Sequence, residues 1–222
     1  MTDEVRHGQT CCFVGPRISY GVYQVSPTEF YVCTERAPGI WLSTVFSLNL
    51  ASSKCWHPTL IGTLVHAPFS VHQDSVRVLP MELVLATKGT GVVTSILFDS
   101  PDDYATVKDL AKKTDYYKIK KGWAELEITP IRAPSYRELT AEFLVKMKIN
   151  SPKDTKPLAE VKELAYKEGF YQGTMLIGDF KGEKVGRAKL QVREILLVGV
   201  LLPGLGRTRN PWHGPEKLWH KL

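Results

Sequence analysis

The chain has 222 residues, and 29 Lys+Arg against 23 Asp+Glu give it a formal net charge of +6, with 43% hydrophobic and 23% charged residues. This composition fits one large folded domain, or a domain with an appendage, and excludes disorder throughout. The most apolar stretch, residues 195–202, contains Gly199 and falls well short of the ~18 to 20 residues that span a bilayer, so no membrane partner is expected.

Residues 1–7 are polar and lack the apolar core of a secretory signal, which makes the cytoplasm the expected location. From there the pattern is β. Strands are predicted at residues 10–14, 18–25 and 29–35, separated by Gly15-Pro16 and Ser26-Pro27. Residues 38–57 are rich in Ser, Leu and Trp and follow neither a strand nor a helix period. Further strands are predicted at 59–65, 75–79, 81–86 and 91–98, and so many short strands broken by glycine suggest a barrel or a strongly curved sheet. A helix begins at Ser100-Pro-Asp-Asp103, with Ser as N-cap, Pro at the first helical position and a carboxylate at the third, and ends at Lys112-Lys113. A strand at 124–131 follows. Helices are then predicted at 139–148, at 157–168 with Gly169 as C-cap, and at 183–196. The glycines and prolines after residue 198 preclude a continuous helix, so 1–197 reads as the domain and 198–222 as an irregular tail.

Four cysteines, at 11, 12, 33 and 55, have neither a zinc spacing nor a disulfide framework, and the six histidines form no metal motif with them. No metal and no cofactor are expected. Cys11 and Cys12 read as small buried residues.

The densest chemistry lies between Lys88 and Asp103. It is not a Walker loop, because Lys88 precedes the glycines, and it is not a dinucleotide fingerprint, because Val92-Val93-Thr94 follows Gly89-Thr90-Gly91. What it offers is a carboxylate cluster, Asp99, Asp102 and Asp103, where a strand meets a helix. Asp103 has two readings: a capping-box acid, or a counter-ion for a ligand ammonium. The run 112–121 carries Lys112, Lys113, Lys118, Lys120 and Lys121 around Tyr116 and Tyr117. It is either a solvated helix end or a grip on a phosphate backbone.

A set of segments then points further: Gly8-Gln-Thr-Cys-Cys-Phe-Val14, Thr34-Glu-Arg-Ala37, Val78-Leu-Pro-Met-Glu82, residues 86–95, Asp99-Ser-Pro-Asp-Asp-Tyr104, Ile149-Asn-Ser-Pro-Lys-Asp154, residues 165–175 and Phe180-Lys-Gly-Glu-Lys-Val185. In this order, over residues 8 to 195, they resemble the editing domain (the connective-peptide insertion) of eukaryotic cytosolic leucyl-tRNA synthetases. The resemblance implies a mixed α and β fold, a β-barrel flanked by helices, in a fragment of an enzyme that charges tRNA with leucine and hydrolyses misacylated tRNA. It implies that Asp103 holds the α-amino group of the misattached residue and that Thr94 and Ile96 line its pocket, with Asp99 alongside. The partners it implies are the acceptor end of tRNA(Leu) and a full-length synthetase, and the five lysines of the basic run are the candidate tRNA contacts.

Two departures bear on activity. The family's T-x-R-P-x-T peptide falls where this chain reads Thr2-Asp-Glu-Val-Arg-His7, with Val5 at the second threonine and the first ahead of Met1. No segment resembles the synthetic-site motifs H-I-G-H and K-M-S-K-S. The resemblance therefore implies editing chemistry only, impaired in this chain, with no catalytic residue assigned and no aminoacylation. The alternative is a catalytically silent RNA- or protein-binding remnant.

Overall fold

The computed structural model describes residues 9–26, 29–37, 52–55, 60–67, 75–98, 100–126, 139–176 and 179–191. Val5, Asp99, most of 38–57, residues 127–131 and the 198–222 tail lie outside the described residues.

The centre is β1 (Cys11–Val14), buried along its whole length. It runs parallel to β6 (Ser75–Pro80) and antiparallel to β7 (Val92–Ser95), and β5 (Leu64–His66) pairs with β6 at the edge, giving the order β5-β6-β1-β7. The β1–β6 ladder stops at the Val14–Pro80 pair, since proline has no N–H to continue it. A second sheet, β3-β2-β4, is made by β2 (Tyr20–Ser26), β3 (Glu29–Cys33) and β4 (Ser52–Cys55). Tyr20 joins the two sheets: its buried hydroxyl accepts the Gly15 N–H at 2.9 Å and donates to the Gly91 carbonyl at 2.7 Å.

The chain is mixed α and β, as expected. Among the described residues the two sheets stay open, and no ladder closes them into the expected barrel. Residues 81–86 are a turn rather than a strand. Met81 and Val84 are buried while Leu83 and Leu85 are exposed, a spacing of three that a pleat cannot produce, and the Val84 N–H bonds back to Met81. Of the predicted 59–65 segment only residues 64 and 65 are seen in a strand, β5, among the described residues, while the aperiodic 38–57 region contributes β4 to the edge of β2. Residues 124–126 are not strand.

Helix α1 (Pro101–Lys112) covers one face of the four-stranded sheet. There Cys11, Phe13, Leu79, Leu97, Val107 and Leu110 form a core, each large apolar side chain contributing ~1.5 to 3 kcal/mol by leaving water. The opposite face packs Cys12, Val14, Tyr20, Val76 and Val78. A one-turn helix α2 (Thr114–Tyr117) follows α1, then α3 (Leu139–Lys146) and α4 (Thr155–Tyr166), which pack on α1 through Ala105, Phe143, Leu144, Leu158, Val161 and Ala165. Gly169 is not a C-cap. The chain widens instead into a π turn, Lys167–Gln172, ended by Gly173, where a Cβ would lie 2.1 Å from the Gly169 carbonyl oxygen. Residues 185–191 are helical, inside the span predicted for the last helix. No helix among the described residues is long and apolar enough to cross a membrane.

Candidate functional site

The strand β7 and the first turn of α1 are joined within a few residues, and the Ser100 N–H bonds to the Ile96 carbonyl at 3.2 Å across the junction. Ser100 is the N-cap and Pro101 opens the helix, as its fixed backbone favours. The capping box itself is not formed. Ser100 makes no side-chain cap bond, and its N–H, which a capping-box acid would accept, goes to Ile96.

Asp103 is instead turned into the protein, 5% exposed, on the side of α1 that meets the sheet. Its neighbour there is Cys11. Burial pushes the Cys11 thiol far above its ordinary range, and the Asp103 charge adds to the shift. Neither residue type nor spacing in the sequence connects them; the pairing arises because Cys11 lies opposite Ser95, at the end of β7 from which the chain turns into α1.

Thr94 faces the other way. It lies opposite Cys12, on the side of the sheet shared with Val92, and is half-buried. Ile96 continues that alternation just past the strand and is buried. A ligand touching both Asp103 and Thr94 would therefore have to wrap round the end of the β1–β7 ladder. At that end Thr10 donates its N–H to the Ser95 carbonyl at 3.0 Å. Thr10 was not singled out for chemistry from the sequence, although it belongs to the Gly8-Gln-Thr segment. Asp99 lies outside the described residues. Among the described residues, no group of three His, Cys, Asp or Glu side chains converges on a point that could hold a metal ion.

The lysines form a separate feature. Lys112, Lys113, Lys118, Lys120 and Lys121 are all exposed, and the ten residues from Asp103 to Lys113 put the start of this run ~15 Å along the α1 axis from the carboxylate. They are not equivalent. Lys113 is paired with Asp109 at 2.7 Å, Lys120 lies over the Trp123 ring at 5.7 Å with Arg77 at 4.6 Å from the same ring, and Lys118 caps α2 in the left-handed region with φ 55°. Tyr116 is 73% exposed and meets Tyr117 edge to face.

No protein-family model matches the chain. It is 54% identical over 202 residues to the cytoplasmic leucine--tRNA ligase of Neurospora crassa, a match that covers 89% of this chain and 18% of that protein. The chain thus spans less than a fifth of the length of that relative. The crystal structure of GlLeuRS-CP1 superposes with a TM-score of 0.77 at 32% identity, over 88% of this chain and 77% of that one. The chain belongs to the leucyl-tRNA synthetase CP1 domains. The editing domain of the Plasmodium knowlesi cytosolic leucyl-tRNA synthetase shares the fold, with a TM-score of 0.78 at 24% identity, over 89% of this chain and 78% of that one.

Proposed function

We propose that this CP1 chain is an editing deacylase module, acting in the cytoplasm on the acceptor end of misacylated tRNA(Leu) in association with a synthetase. The observation that carries the reading is Asp103: a carboxylate withdrawn from water at the first turn of α1, beside the end of the β1–β7 ladder. A charge-assisted hydrogen bond to an α-ammonium strengthens as the local dielectric falls, so this is where such a group would be bound most tightly. Thr94 and Ile96, one turn of the pleat apart, would bound the amino-acid side chain. The barrel belongs to the same proposal.

Chemically, anchoring the ammonium fixes one end of the substrate. The ester and an attacking water must also be held in register, and effective molarity falls steeply when they are not. The family's second threonine falls on Val5, which has a methyl in place of a hydroxyl, so hydrolysis by this chain should be slow.

Release of a non-cognate amino acid from tRNA(Leu) tests the reading. The chain should show slow deacylation, Asp103→Ala should abolish it, and Val5→Thr should raise it. Activity insensitive to Asp103→Ala would overturn the assignment. The alternative of a silent RNA-binding module rests on the exposed lysines, and predicts tRNA binding with no deacylation in any of these variants.

A further inference from the structure

Two consecutive carboxylates open α1, and they face different ways because consecutive helical residues are about 100° apart. Asp103 points toward the sheet. Asp102 points toward α4, where Lys162 Nζ meets its Oδ2 at 2.5 Å. The Asp102 backbone is pinned as well, its carbonyl accepting the Thr106 hydroxyl at 2.7 Å. Beside Lys162, the fully buried Val161 packs α4 onto α1 through Ala105, a small residue that lets the helices approach closely. Thr140 of α3 donates to the Phe98 carbonyl just before the helix. The start of α1 is therefore held by both neighbouring helices, and Lys162 is the only one of these contacts that carries charge.

Resting on the deacylase reading of Asp103, we propose that Lys162 is a positioning residue for that site: by pairing with Asp102 it fixes the roll of α1 and leaves Asp103 as the carboxylate presented to the substrate's ammonium. Without the lysine, Asp102 would be an uncompensated charge one residue away. It would compete for the ammonium, and a small roll of α1 would turn Asp103 from its place. The pair is partly exposed, with side-chain exposures of 41% for Lys162 and 22% for Asp102, so its worth to stability is small. Its effect should appear in recognition.

The test uses two probes: adenosine carrying a small aliphatic amino acid through a non-hydrolysable 3′-amide, and the same compound lacking the α-amino group. Calorimetry on the full chain gives the preference for the ammonium. The wild type should prefer the ammonium-bearing probe by about tenfold, and Asp103→Asn should remove that preference. Lys162→Met should reduce it to about threefold or less while moving the melting temperature by no more than about 3 °C. Lys162→Arg should restore it. Full preference in Lys162→Met, alongside its loss in Asp103→Asn, would overturn the role of Lys162 and leave Asp103 standing. A melting temperature lowered by more than about 10 °C in Lys162→Met would make the residue structural and overturn the proposal too. A wild type with no preference would overturn the reading of Asp103, and Lys162 with it.

Discussion

Tyr117 donates its hydroxyl to Asp109 Oδ2 at 2.6 Å, while Lys113 reaches Oδ1 of the same carboxylate at 2.7 Å. One acid on α1 thereby anchors α2, and with it the start of the basic segment. Burial alone would raise the Asp109 pKa, but the hydrogen bonds from Lys113 and Tyr117 and the charges of Lys113 and Lys112 more than offset it, leaving the carboxyl below its usual range.

The sign of the pH dependence follows. A folded-state value below the unfolded one, ~3.9, contributes stability that is present above about pH 4 and lost as the pH falls through the folded value. Melting temperature plotted against pH should drop on the acid side in the wild type, and this drop should be shallower in Asp109→Asn. At pH 7 the same variant should lose ~1 to 3 kcal/mol, because its amide keeps a single acceptor oxygen and no charge for Tyr117 and Lys113. An identical acid slope in the two proteins would remove Asp109 from the account.

Gly91 should tolerate no side chain. Its φ is +75°, and a Cβ would stand 2.3 Å from Thr34 Cγ2, so Gly91→Ala should cost ~1 to 3 kcal/mol or more. Tyr20→Phe should cost a similar ~1 to 3 kcal/mol, because both the Gly15 N–H and the Gly91 carbonyl lose their partner in a buried place. Urea unfolding of the two variants measures both.

Binding of tRNA, if carried by the basic segment, should divide unequally among its lysines. Lys118 and Lys121 are exposed and pair with no acid among the described residues, whereas Lys113 must first leave Asp109. Lys118→Gln with Lys121→Gln should reduce the slope of log affinity against log salt by ~1 to 2, and Lys113→Gln should change it less. An unchanged slope in the double variant would exclude the segment.

Cys11, Cys12 and Cys33 are buried thiols, and burial raises Cys33 to about 11. The thiolate is the reactive form, so a thiol reagent at pH 7.5 should label these three slowly in the native chain and fast in denaturant. Rapid native labelling of Cys33 would contradict its burial.

A chain ending at Leu197 should melt within about 10 °C of the full chain, since residues 198–222 are too interrupted by glycine and proline to form a continuous helix. Loss of folded protein would show that the tail packs on the core.

The sequence by itself determined what depends on neighbours along the chain. Ser100-Pro101 opened α1 and Lys112-Lys113 closed it because N-cap, proline and terminal cations act over single turns. The ordered segments from Gly8 to Val185 marked the synthetase family before any contact was known. The apolar residues of 81–86 read as a strand, but the backbone there turns with Met81 and Val84 buried, because the period that distinguishes turn from strand is set by what each residue packs against. Tertiary structure alone decided the direction of Asp103. Its spacing from Ser100 fits a capping box, and the Ser100 N–H went instead to Ile96. The same holds for contacts across long sequence separations: Cys11 with Ser95, Tyr20 with Gly91, and Asp102 with Lys162. Each joins segments whose local patterns carry no record of the other, because such partners are chosen by the shape and charge of the packed core, after loop closure has brought them together.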